Sequence, residues 1–272
     1  MKKSVLKKTL VVCLFFFGQL CYSIPGLTID WEDNILTIKS PQLPEGSVQI
    51  WYLEAFCRPN SHNRDWEETS IAHKTELISA STDSKKIVLH SKLNNGVLAK
   101  HTLTVVEDGI SFEVELKNPT QTPSDVAWAQ PCMRVDHFTG LGQEDYLQKS
   151  FLFFDGKPKL LTELPQWSEE ALYTPGQVWK PADISSKDVN PRPLSTLIPD
   201  NGLIGCFSQD DQLVLATAWE PWQELFQGVI VCLHSDFHIG GLHPNESKHI
   251  KGKIYIMTND IDALLEHYEN DF

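Results

Sequence analysis

Period-two alternation of apolar and polar residues dominates this chain. Across 109–118, Ile110, Phe112, Val114 and Leu116 point one way, and Ser111, Glu113, Glu115 and Lys117 the other. That is a strand with one wet face. Segments 27–31 and 35–39 flank Glu32, Asp33 and Asn34, which read as a hairpin turn. The segment 47–56 is rich in aromatic and β-branched residues. Further strands are expected at 75–81, 86–93, 97–107, 126–137, 149–154, 203–208, 213–219, 228–237 and 250–257. Helical periodicity is confined to the end, where Asn259 or Asp260 can cap a short helix whose Ile261, Leu264, Leu265 and Tyr268 form one stripe. So many strands with connections mostly too short for helical crossovers predict an all-β chain, a large antiparallel β-sandwich.

The pattern breaks once. Segment 155–202 holds seven of the sixteen prolines and little alternation. This Pro-rich irregular insertion is either a loop arching over an open sheet face or a cover for unpaired edge strands.

Composition changes the picture at the ends. Lys2, Lys3, Lys7 and Lys8 precede an apolar run, and small or short residues lie around Ser23, so 1–23 reads as a signal peptide. The run is too short for an ordinary spanning helix, and no membrane insertion is expected after cleavage. Export, periplasmic or secreted, follows, with 24–272 as a single β-sandwich domain. Residues 1–23 hold four of the 23 basic residues and no acid, leaving 19 against 36 acids, a formal charge of −17. Such a chain disfavours nucleic acid and anionic membranes as partners. Cys57, Cys132, Cys206 and Cys232 remain in the mature chain. They are either disulfide-bonded or buried thiols serving as small apolar residues. Without a CxxC pair or another ligand spacing, neither a metal nor a cofactor is expected.

Candidate chemistry gathers in three places. The first is 219–242, WEPWQELFQGVIVCLHSDFHIGGL. On its strand, Cys232, His234, Asp236 and His238 share a face, with Val231, Leu233 and Phe237 opposite. Alternate residues lie about 6.5–7 Å apart, so His234 and His238 are too distant to clasp one ion. A carboxylate beside a histidine instead suits proton transfer, although a solvated strand face would look the same. Glu220 and Glu224 are the nearest acids for a paired-carboxylate mechanism. The second is 130–137, where Arg134 and Asp136 form either an ion pair or a grip on sugar hydroxyls. The third is 47–73, where Trp51, Arg58 and His73 stand among charged and aromatic residues near a strand end. Trp219, Trp222 and Trp179 lie near polar clusters and could stack on pyranose rings. Arg192 sits in the Pro-rich insertion. No GxSxG, HExxH, P-loop or GxGxxG motif is present.

The segment Gly240-Gly241-Leu242-His243-Pro244-Asn245-Glu246, followed by an apolar strand, resembles the closing strands of galactose mutarotase-like supersandwich domains, with Asn245 in a glycine position. The mature chain also resembles a set of exported bacterial proteins with WYLEAFCRP-like and WEPWQELFQG-like segments, which brings no activity. The first resemblance implies a supersandwich and a carbohydrate ligand. In that family a histidine and a glutamate act on the sugar ring; by chemistry rather than by register, His234 and Glu224 suit those roles. Two functions are therefore expected. One is an exported protein that binds or processes carbohydrate, by epimerisation or glycosidic cleavage, on a concave sheet. The other is a non-catalytic module that binds a glycan or a protein.

Overall fold

A computed structural model describes residues 23–165 and 177–272. The expected leader lies outside the described residues except for Ser23, as does 166–176 of the Pro-rich segment. Among the described residues no helix is long and apolar enough to cross a membrane.

The expected hairpin turn forms. Thr28–Glu32 (β1) pairs with Ile35–Lys39 (β2) around Asp33 and Asn34, whose φ values are 49° and 64°. Short polar side chains tolerate this left-handed conformation, which matches the twist of the flanking strands. β2 pairs with Ser47–Cys57 (β3), and the end of β3 holds the short Ser70–Ile71 (β4) after one helical turn, Trp66–Thr69 (α1). A meander follows: His73–Ala80 (β5), Lys86–Leu93 (β6), Leu98–Val106 (β7) and Gly109–Lys117 (β8). Trp128–Arg134 (β9) ends in a helical turn, Asp136–Thr139 (α2). Ser150–Phe154 (β10) and Lys157–Leu160 (β11) make a hairpin, and Val178–Trp179 (β12) is a two-residue strand. Ile204–Phe207 (β13), Leu213–Glu220 (β14), Trp222–Gln227 (β15), Cys232–His238 (β16) and Ser247–Thr258 (β17) lead to the final helix, Ile261–Asp271 (α3). The Asp260 carboxylate caps α3 by accepting from the Ala263 N–H at 3.0 Å.

The strands form two antiparallel sheets. The first runs β1-β2-β3-β9-β16-β15-β12, with β4 beside β3; the second runs β11-β10-β13-β14-β17-β8-β7-β6-β5. Their inner faces share one core. At its centre, Tyr52 and Phe237 from the first sheet meet Phe112 and Trp219 from the second, with ring centroids 5.1 Å apart for Tyr52–Phe112, 5.2 Å for Phe112–Trp219 and 4.7 Å for Trp219–Phe237. Trp219 lies over its cross-strand neighbour Gly252, where a Cβ would strike the indole. α3 covers part of the outer face of the second sheet, with Leu264 against Phe151, Val214 and Tyr255. The outer face of the first sheet is covered instead by part of the Pro-rich segment.

Four departures from the alternation have local causes. Val135 leaves the strand conformation (φ −123°, ψ 3°), so β9 ends before Asp136, and Asp136 belongs to α2 rather than to a strand. Residues 228–231 are a turn closed by Gly228 N–H to the Cys232 carbonyl, so β16 starts late. β15, whose glutamine and glutamate disguise it, is a strand with mostly buried side chains. The Pro-rich segment is also less irregular than expected, since it contains β11 and β12. Asn245 has φ 63°, a left-handed conformation that its short polar side chain tolerates.

Candidate functional site

Directly opposed residues of an antiparallel pair share a face, so side chains can be followed across the first sheet in rungs. On its outer face one rung reads Ala55, Gln130, Asp236, Glu224. The next reads Trp51, Cys132, His234, Phe226, and the third brings Arg134 beside Cys232 and Gly228. β9, β16 and β15 therefore place three polar rungs, about 6.5–7 Å apart, on one surface.

Phase matters here. In β15 the register shifts between Trp222, which opposes Phe237, and Glu224, which opposes Asp236. One extra residue is taken up there, a β-bulge. Trp222 consequently packs toward the core, while Glu224 faces the polar side although only two residues away.

The resulting cluster is buried. Glu224, Asp236, His234, Cys232, Cys132 and Gln130 are each at most 5% exposed. The cover is a strap at 187–192. Its Asn190 N–H donates to both Glu224 oxygens, at 3.0 and 2.8 Å, and its Asn190 Nδ2 donates to Gln130 Oε1 at 3.4 Å. Gln130 Nε2 in turn donates to Glu54 Oε2 at 3.0 Å. The strap is tied down by Asn60 N–H to Asp188 Oδ1 (2.6 Å), Ser61 Oγ to the Val189 carbonyl (2.9 Å) and Gln223 Nε2 to the Asp188 carbonyl (2.8 Å).

Within the cluster, Cys232 Sγ lies 3.3 Å from His234 Nε2, and His234 Nδ1 lies 3.7 Å from Asp236 Oδ1. Phe226 stacks on the imidazole at 4.0 Å. No hydrogen bond reaches either Asp236 oxygen. Burial pushes the Glu224 carboxyl well above the usual range, and the Asp236 charge adds to it. Burial also drives Asp236 up to about 7, against the opposing pull of His234. The Cys132 thiol, hydrogen-bonded to Cys232, and His234 pull Cys232 down to about 5 despite its burial. Burial disfavours the charged His234, but Cys232 and Asp236 outweigh it and raise the imidazole to about 10. The shifts thus favour the charged forms of Cys232 and His234 and the protonated forms of Glu224 and Asp236, so four interacting titratable groups share one face. Among the described residues, Cys132, Cys232 and His234 also bring their ligand atoms within 4.8 Å of one another, close enough to share a metal ion.

One end of this face is open. A groove of about 160 Å³ is lined by Glu45, Gln49, Arg134, Asp136 and His137 among others, and Arg134 is the cross-strand neighbour of Cys232. Trp51, 37% exposed, stands on the same face, opposite Cys132. Arg134 and Asp136 do not form the expected strand pair; they meet as two walls of this groove.

The other expected residues disperse. His238 is on the polar face and bonds Gln223 Oε1 at 2.6 Å, next to the strap. Arg192, in the strap, lies over the Phe226 ring at 5.7 Å. Trp219 and Trp179 are sealed in the core and Trp222 packs against it, so neither Trp219 nor Trp179 can offer a ring face to a ligand, and Trp222 is no open platform. His73 packs edge-on against core Phe56, and Arg58 donates to the Ser70 carbonyl at 2.9 Å and pairs with Asp125. Glu220 sits at the end of β14, accepting from Tyr268 Oη, so the acid opposite Glu224 is Asp236 rather than Glu220. Cys57, Cys132, Cys206 and Cys232 are buried free thiols. Glu54, Gln130, Cys132, Asn190 and Gly228 complete the cluster, brought in by strand pairing and by the strap rather than by linear spacing.

No family model matches this chain, and no curated protein does. Solved structures resemble it. A galactose mutarotase-like protein from Lactobacillus casei aligns over 85% of this chain and 100% of its own, with 8% identity and a TM-score of 0.46. Another, from Clostridium acetobutylicum, aligns over 85% of this chain and 94% of its own, with 11% identity and a TM-score of 0.45. The resemblance to galactose mutarotase-like proteins thus spans most of the chain at low identity. It is a likeness of fold, and no residue role is carried across it.

Proposed function

We propose that this protein binds a carbohydrate in the groove beside Arg134 and acts on it with the proton-holding cluster on the same sheet face. The observation that carries this reading is the continuity of the face. The open groove of Gln49, Arg134, Asp136 and His137, with Trp51 exposed nearby, adjoins Cys232, His234, Asp236 and Glu224 without a change of sheet or side. Arginine and carboxylate side chains around a shallow groove suit the dense hydroxyls of a sugar, and an exposed indole suits its C–H face. The reaction class is acid/base, epimerisation or glycosidic cleavage, with the raised Glu224 and Asp236 carboxyls as proton carriers. Export, inferred from the N-terminal sequence, would place the protein among extracytoplasmic glycans.

A glycan array followed by thermal-shift titration tests the binding. Arg134→Ala is expected to weaken a hit by at least about tenfold, the scale of losing one charged hydrogen-bonding contact. His234→Ala is expected to leave binding and remove any turnover. A hit equally strong in Arg134→Ala would place the ligand elsewhere.

A specific observation favours a second reading, a binding module without turnover: the Asn190 N–H engages both Glu224 oxygens and the strap seals the cluster. Following the anomers or reducing ends of any bound glycan by NMR separates the two. Turnover lost in Glu224→Gln supports the acid/base reading; binding with no turnover by the wild type supports the module.

A further inference from the structure

The face that holds the carboxyl pair also carries two thiols and an imidazole aimed at one point. Cys132 stands across from His234 on the neighbouring strand and diagonal to Cys232. The three ligand atoms all lie within 4.8 Å of one another, with Cys232 Sγ and His234 Nε2 at 3.3 Å. Tetrahedral zinc, with bonds of about 2.3 Å to sulfur and 2.0–2.1 Å to nitrogen, holds its ligand atoms roughly 3.5–3.8 Å apart. The cluster needs only side-chain adjustments to reach that spacing. We propose that Cys132, Cys232 and His234 bind a thiophilic cation, zinc(II), with Asp236 as the residue that orients His234.

Two observations beyond proximity point to an ion. Asp236 is fully buried, and both its oxygens lack hydrogen bonds, yet it sits 3.7 Å from the nitrogen of His234 that faces away from Cys232. A carboxylate behind a histidine whose other nitrogen faces two thiols is the arrangement that fixes the ring and raises its basicity toward a metal. Gly228 is the second. A Cβ there would run into Cys232 Sγ and lie 3.3 Å from His234 Nε2, so glycine keeps that flank of the cluster free of a side chain. Three protein ligands leave one tetrahedral position for water or a ligand atom. The softness of two thiolates and an imidazole selects zinc(II) or copper(I) over magnesium, calcium or manganese. Linear spacing hides the site, because its cysteines are a hundred positions apart and are joined only by the pairing of β9 with β16.

The test uses the full chain, purified with reductant, stripped with a chelator and titrated with cobalt(II), then zinc(II). One equivalent of cobalt is expected to give a thiolate-to-cobalt charge-transfer band that zinc abolishes. Cys132→Ser and Cys232→Ser should each lose the band, and Cys57→Ser, at a buried thiol outside the cluster, should keep it. Asp236→Asn should keep the band with affinity lowered about 10–100-fold, the usual effect of removing such a carboxylate. Because the serine variants could misfold, a second measurement uses the wild type alone. Zinc should protect Cys132 and Cys232, but not Cys57 or Cys206, from alkylation during partial unfolding, as read by peptide mass. No stoichiometric uptake, a band that survives in both serine variants, or a Cys132–Cys232 disulfide in protein isolated without reductant would each overturn the proposal. The glycan experiments read a different quantity, so failure of one proposal is distinguishable from failure of the other.

Discussion

His101 shows how one buried residue can set the acid stability of a β-sandwich. Its Nδ1 meets Tyr52 Oη at 2.8 Å, its Nε2 meets Ser91 Oγ at 3.0 Å, and no part of the residue reaches solvent. A neutral imidazole satisfies both hydroxyls, donating to one and accepting from the other. Burial, and then the charges of His73 and His90, push its pKa down to about 3. The unfolded chain takes up a proton below about pH 6.5 while the folded chain refuses it, so stability is full above that pH and falls on acidification toward 3. The slope is at most about 1.4 kcal/mol per pH unit for this one group. Urea unfolding at pH 7 and pH 4.5 should show a drop in midpoint for the wild type and a smaller drop for His101→Gln. Equal drops in the two proteins would assign the acid sensitivity to other groups.

At the scale of elements, the strap over the polar face is held by hydrogen bonds to several neighbouring segments, and Asp188 takes part in two of them, through its carboxylate to Asn60 and its carbonyl to Gln223. Asp188→Ala removes the first and leaves the core untouched. The expected outcome is a faster reaction of Cys232 with a thiol reagent, while Cys206, on β13 in the core between the sheets, reacts as before; a ratio of rates that does not move would mean the strap is anchored elsewhere. The strands beneath were largely legible in the chain, because alternation survives wherever one face is apolar. β2 and β6 coincide with the alternating segments, and the Asp260 cap marks the start of α3. The site was less legible. His234, Asp236 and Glu224 stood out by chemistry, but Cys132 and Cys232 read as either disulfide partners or small apolar thiols, and only strand pairing brings them together. Trp222 and Glu224, two positions apart, would share a face in a regular strand. Trp219 and Trp179 drew attention through polar neighbours in sequence that lie on the other side of their strands.

The whole molecule depends on the contact between its two sheets, and Trp219 occupies the middle of that contact, packed against Tyr52, Phe112 and Phe237. Trp219→Ala should cost about 3–5 kcal/mol, the range for deleting a buried large aromatic ring. Chemical denaturation measures it; a loss under about 1 kcal/mol would show that the sheets are held mainly at their margins. The outer faces are covered differently, one in part by a helix and the other by the strap, so the buried polar cluster lies on a single surface. The bulge in β15 makes the assignment of faces a matter of length. With Gln223 set aside there, Trp222 and Glu224 take opposite faces although they are two positions apart, so the indole stays with the core and the acid with Asp236. Regular pairing of the same residues would put both on one face, and every side chain beyond that point would trade sides. One unpaired residue is thus what lets a strand of this length seat an aromatic ring against the oily interior and an acid on the opposite surface.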